Sequence, residues 1–297
     1  MVDAAKVLDK HATEEFINKH WDSWFVPGLS EFITIPNLTP MVDPDYLTNG
    51  NVEKVIQLVD DYVNKLDIKG LSRKIYQPAG MPPLVVYIVE GSGSDANLML
   101  YGHLDKQPWM EGWDEGLAAT TPVIRDGYLY GRGGADDGYA VFTCMLAIKN
   151  AQHQGVKWPR CVMVLETEEE SGSGHLIALL DAAKEAIGKP DFLFCMDSGA
   201  FDYKSMWLTS SLRGICIIDI TVNAAKGGFH SGLVGGVVPE TFRVLRELLN
   251  RIDDSKTGKV CAELATEIPE WAQKEAKELA QLAGAELYNQ FAVEEGV

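Results

Sequence analysis

The chain has 297 residues, 46% of them hydrophobic, enough for one large domain or two modest ones around a substantial core. Its 43 Asp and Glu outnumber its 26 Lys and Arg, and the resulting net charge of −17 argues against nucleic acid or an anionic membrane surface as the main partner. No apolar run approaches the roughly 18 residues of a membrane span, and the charged start MVDAAKVLDKHATEEF has no apolar stretch of signal-peptide length.

Apolar residues recur at helical spacing over residues 11–26 and again in NVEKVIQLVDDYVNKL, residues 51–66. Three β-rich segments follow, SRKIYQ, PLVVYIVEG and ANLMLYGHLD, separated by Gly, Pro and Ser. After GRGGADDG a helix is predicted from Tyr139 to about His153. RCVMVLETE is a near-continuous apolar strand of the kind buried on both faces. A helix over about Gly174–Ile187 and a strand at PDFLFCMDSG complete the alternation. The pattern predicts an α/β fold over 1–209, a mixed, mostly parallel sheet with helices on both faces. From about residue 210 the texture changes. LRGICIIDITVN reads as an alternating strand, AAKGGFHSGLVGG as a Gly-rich loop, and PETFRVLRELLNRIDD and the segment Pro269–Leu282 as helices. A smaller α+β unit is expected over 210–297, incomplete because no strand closes it before NQFAVEEGV ends. The five cysteines are widely spaced, with no C-x-x-C pair, and read as reduced thiols of a cytoplasmic protein.

Ligands of open α/β sheets collect beyond the C-terminal ends of strands. GHLD, ETEEE and CMDSG all lie at such ends. His103 and Asp105 are two apart, so a strand turns both to one face. They read either as a metal-ligating imidazole with its orienting carboxylate or as a buried histidine bonded to a neighbouring acid. Asp136 and Asp137 precede a helix, where a carboxylate is either a ligand or an N-cap. Glu168, Glu169 and Glu170 crowd the end of an apolar strand. A divalent cation would cancel their charge, and adjacent glutamates allow one to bind metal while the other acts as a base; a solvated acidic loop is the plainer alternative. Asp197 ends another apolar strand, and His230 lies in the Gly-rich loop. Mixed His and carboxylate donors suit zinc, manganese or cobalt.

These segments, in this order, resemble the di-zinc peptidase family of cytosolic non-specific dipeptidase and carnosinase, with glutamate carboxypeptidase, aminoacylase and the ArgE/DapE enzymes. GWDEGLAATTPVIRDGYLYGRGGADDG, EEESGS, SLRG and HSGLVGG point to the cytosolic non-specific dipeptidase branch. The resemblance, which spans about residues 10–260, implies a zinc-peptidase catalytic domain followed by part of a lid and dimerisation domain. It implies His103 and Asp197 as ligands of one zinc, Asp105 as the acid orienting His103, and Asp136 as the carboxylate bridging two zincs, with a cis peptide to Asp137. It further implies Glu170 as a zinc ligand, Glu169 as the general base of dipeptide hydrolysis, and Glu168 as a bystander. His230 resembles the lid histidine that meets substrate across a homodimer. The chain departs from the family where a further zinc-ligating histidine follows the lid, because no histidine follows His230. Two alternatives to a dipeptidase are therefore kept: a catalytically incomplete or structural chain with the peptidase fold, and an N-acyl-amino-acid deacylase. A chain without the returning part of the catalytic domain is expected to leave apolar strand edges uncovered.

Overall fold

The computed structural model describes residues 6–289 and Phe291. Expectations on residues 1–5, 290 and 292–297, including the missing closing strand, lie wholly or partly outside the described residues. The chain divides into two units, Met1–Ser211 and Leu212–Val297.

In the first unit, α1 (Lys10–His20) passes through a π-helical turn at Trp21–Phe25 into α2 (Val26–Thr34). Asp9 caps α1 by accepting the Ala12 N–H. In α3 (Asn51–Lys65), Val52, Val55, Ile56, Val59, Tyr62 and Val63 recur at three- and four-residue spacing and are buried. Each such aliphatic side chain contributes about 1.5–3 kcal/mol through burial. Then come β1 (Leu71–Tyr76), β2 (Leu84–Val89), β3 (Asn97–His103), the small hairpin β4 (Val123–Arg125) and β5 (Tyr128–Tyr130), α4 (Tyr139–Gln154), β6 (Arg160–Glu166), α5 (Leu176–Ile187) and β7 (Phe192–Cys195).

The main sheet has the order β1-β2-β6-β3-β7. β1, β2 and β6 pair antiparallel, and β6, β3 and β7 pair parallel. The expected mixed sheet is thus present, with its parallel character confined to the half that carries the polar strand ends. β2 and β6 are buried along almost their whole length because both faces are covered. Val85, Tyr87, Met163 and Leu165 pack with Phe32, Val59, Phe142 and Met145 of α2, α3 and α4. The alternate residues Val86, Ile88, Val162 and Val164 pack with Leu179, Ala183 and Ala186 of α5. The period of two in a strand therefore feeds two cores. β7 lies at the sheet edge with Phe192, Leu193 and Phe194 exposed.

The second unit contains α6 (Ser231–Val234), α7 (Thr241–Leu249), α8 (Glu270–Ala283) and α9 (Glu286–Asn289). The strand expected at residues 212–223 does not form: the segment has no regular secondary structure, is mostly exposed, and has no ladder partner among the described residues. Alternation specifies which side chains would share a face, but a strand also requires a neighbouring backbone to take its hydrogen bonds. No helix among the described residues is long and apolar enough to cross a membrane.

Candidate metal centre

Parallel pairing brings the C-terminal ends of β3, β6 and β7 side by side. His103 sits opposite Glu166 in the β3–β6 register, and the Met196 N–H continues the β7 edge by donating to the Tyr101 carbonyl at 3.0 Å. The turn Gly134–Gly138, which leads into α4, supplies the fourth wall. Its Asp136–Asp137 peptide is cis.

His103 is fully buried at the centre. Its Nε2 lies 3.0 Å from Asp136 Oδ1, and 3.9 Å from both Glu169 Oε2 and Asp197 Oδ2. Its Nδ1 is 3.1 Å from the Asp105 carbonyl and 3.4 Å from Asp105 Oδ1. The backbone of the same residue therefore shares in orienting the ring. The His103 N–H donates to Asp137 Oδ2 at 3.2 Å. That approach depends on Gly102, where a Cβ would stand 2.6 Å from Asp137 Oδ2 and 2.7 Å from Ala140 Cβ.

The glutamates ride on a tight turn. Glu169–Ser171 forms one 3-10 turn, closed by the Gly172 N–H to the Glu169 carbonyl at 2.7 Å, with Gly172 in the left-handed conformation at φ 86°. Asp105 holds this turn from below. Its Oδ1 accepts the Glu169 N–H and its Oδ2 the Glu170 N–H, both at 3.1 Å. Gln107 Nε2 donates to Glu170 Oε2 at 2.6 Å. Ser171 Oγ is 2.5 Å from Thr39 Oγ1 and accepts the Met41 N–H at 2.9 Å. Glu168 turns the other way: its Oε2 receives the His175 N–H at 3.1 Å and lies 2.7 Å from His175 Nδ1, which ties the turn to the start of α5.

The electrostatics follow from crowding acids around one imidazole. Burial by itself lowers the His103 pKa, but the Asp105 and Asp136 carboxylates beside it outweigh burial and hold it up at about 11. Asp136, hydrogen-bonded by His103, is held below the usual carboxylate range. Burial pushes Asp137 up to about 8. Burial, reinforced by Asp197, Glu170 and Asp105 against the opposing His103, pushes Glu169 up to about 7. Glu170 and Asp197 are also raised, chiefly by burial. The site selects positive charge.

Among the described residues, two sets of ligand atoms lie within 4.8 Å of one another: His103, Asp136 and Glu170, and His103, Glu169 and Asp197. Glu170 Oε1 is buried without a hydrogen-bond partner, as is Asp137 Oδ1. A buried carboxylate oxygen set among acids, with no protein group donating to it, fits a cation-binding site. Six of the seven residues singled out from the sequence thus converge: His103, Asp105, Asp136, Glu169, Glu170 and Asp197. His230 is in the second unit, exposed, with its Nδ1 accepting the Gly232 N–H at 3.2 Å. Gln107 and the buried Glu166, which receives the Ser173 and Tyr101 hydroxyls, were not singled out for the site, and Asp137, read with Asp136 as a ligand or an N-cap, accepts the His103 N–H. For Gln107 a signal existed: it continues the two-residue period of His103 and Asp105.

A family model described as peptidase family M20/M25/M40 matches residues 99–281. Among curated proteins, the chain is 30% identical over 248 residues to the Cys-Gly metallodipeptidase dug1 of Schizosaccharomyces pombe, covering 80% of this chain and 51% of that protein. It is 28% identical over 252 residues to the Beta-Ala-His dipeptidase of Rattus norvegicus, covering 81% of this chain and 50% of that protein. The chain spans about half the length of these relatives. Among solved structures it shares its fold with human carnosine dipeptidase 1, with a TM-score of 0.66 at 19% identity over 98% of this chain and 64% of that one.

Proposed function

The chain belongs to peptidase family M20/M25/M40, and from that premise we propose that it carries the catalytic residues of a metal-dependent dipeptidase. The observation that carries this reading is the gathering of His103, Asp136, Glu169, Glu170 and Asp197 around one buried imidazole at adjoining strand ends. His103, Asp136 and Asp197 would hold one divalent ion. Asp136 and Glu170 would hold a second, zinc first, with manganese or cobalt as substitutes. When bound, such ions supply Lewis-acid polarisation of the scissile carbonyl and acidify water.

The chain's own residues do the rest. Glu169 Oε2 takes the proton of the attacking water and returns it to the leaving amine. Asp105 orients both sides of the reaction, through His103 on one side and through the Glu169 and Glu170 amides on the other. Asp137 fixes the main chain of His103. His230 is assigned to substrate contact, reaching the site of a partner copy in a homodimer formed through the second unit. The relatives' names make Cys-Gly and β-Ala-His the first substrates to try. The five free thiols support a reducing, cytoplasmic setting.

The test is Glu169→Gln with ion content measured alongside turnover. Loss of 100- to 10,000-fold in dipeptide hydrolysis at unchanged ion content is expected. Ordinary turnover by this variant overturns the reading. Hydrolysis of N-acyl amino acids in preference to dipeptides would move the assignment to a deacylase with the same residues.

A further inference from the structure

We propose that Gln107 is a positioning residue that selects Glu170 Oε1 as the atom offered to an ion. The proposal rests on the reading of Glu170 as a metal ligand. A glutamate carboxylate has a broad, two-fold terminal torsion, so nothing intrinsic prefers one of its oxygens. The structure supplies the preference from outside. Gln107 Nε2 donates to Oε2 at 2.6 Å, and Oε1 is left buried with no hydrogen-bond partner. A carboxylate accepts only, so it is the nitrogen of the Gln107 amide that must face it.

Gln107 is itself well placed to direct. The strand period of two continues past β3, so His103, Asp105 and Gln107 address the glutamate turn while Leu104 and Lys106 point into the core. Lys106 is fully buried, and its Nζ donates to the Phe32 and Ile35 carbonyls at 2.6 and 2.7 Å, which terminates α2. The Thr39 N–H donates to the Lys106 carbonyl at 2.9 Å. The backbone beneath Gln107 is thus anchored on both sides. Glu170 is then gripped twice, at its amide by Asp105 and at its carboxylate by Gln107. Groups that hold a metal ligand in place typically change affinity by 10- to 100-fold when removed.

The test is a double-mutant cycle read as zinc affinity of the full chain by competition calorimetry. It uses the wild type, Gln107→Met, Glu170→Gln and the pair. Gln107→Met keeps the length and loses the donor, and is expected to weaken zinc 10- to 100-fold. In the Glu170→Gln background the same change should add nothing, which a mere packing role would not produce. Gln107→Asn, one methylene short, should fail like the Met variant. If Glu170→Gln leaves affinity unchanged, or the wild type takes up no zinc, the underlying ligand reading falls. If Glu170→Gln weakens zinc but Gln107→Met does not, or the two effects add, the ligand reading stands and this inference is overturned.

Discussion

Asp105 is only 3% exposed, and its carboxylate accepts the amides of both glutamates, so truncating it tests the architecture of the site without any metal. Each charge-assisted hydrogen bond is worth about 1.5–3 kcal/mol, so Asp105→Ala forfeits about 3–6 kcal/mol of local interaction. Part of this returns, because Asp105 repels Glu169 and Glu170. Two unit charges about 4 Å apart in water repel by about 1 kcal/mol, so the half-exposed glutamates return about 1–2 kcal/mol. A net loss of about 2–4 kcal/mol is expected, confined to the turn at Glu169–Ser171. Read as hydrogen exchange in the ion-free chain, this accelerates the Glu169 and Glu170 amides by roughly 30- to 1,000-fold. Asp105→Asn retains one accepting oxygen and turns an N–H toward the other amide. It should therefore expose one of the two amides and spare its neighbour. If both amides stay equally protected in the Ala variant, the clamp is not what holds the turn, and Asp105 acts on His103 alone.

Stability of the ion-free chain should fall as pH rises from about 5 to 7, measured by thermal melting. Asp137 at about 8 and Glu169 at about 7 are both raised above their unfolded values, so the folded chain binds more protons and loses that advantage as they ionise. His103, raised to about 11, acts in the same direction above its unfolded pKa. A melting temperature that climbs over this range would contradict the burial of these acids. Gly102→Ala should cost about 1–3 kcal/mol in denaturant unfolding, because its Cβ would fall 2.6 Å from Asp137 Oδ2 and 2.7 Å from Ala140 Cβ with no flexible chain to give way. Lys106→Ala should cost about 3–5 kcal/mol, since it leaves the Ile35 carbonyl without its donor, leaves the Phe32 carbonyl with the Ile35 N–H alone, and opens a cavity beneath Gly133; an effect below about 1 kcal/mol would mean water refills the site.

Much of the first unit was legible in the order of residues alone. The stripe of α3, the doubly buried runs of β2 and β6, and the Gly-rich entry to α4 are local patterns, and local patterns decide helix, strand and turn. So was the position of the acids, because an apolar strand that runs into carboxylates marks the C-terminal ends of the parallel strands, where they gather. Residues 212–223 mark the limit of such reading: the alternation was there, but a strand exists only where another backbone meets it. The same limit applies inside the site. Asp105 and the glutamate amides it holds are separated by more than sixty residues, as are Gln107 and Glu170. No periodicity encodes such a partnership, since it arises when parallel pairing sets the ends of β3 and β6 side by side. Local sequence determined which residues were available for the chemistry. Tertiary structure alone decided which carboxylate would hold an amide, which would pin α5 and which would be left with a bare oxygen, because hydrogen-bond partners are chosen by proximity in space.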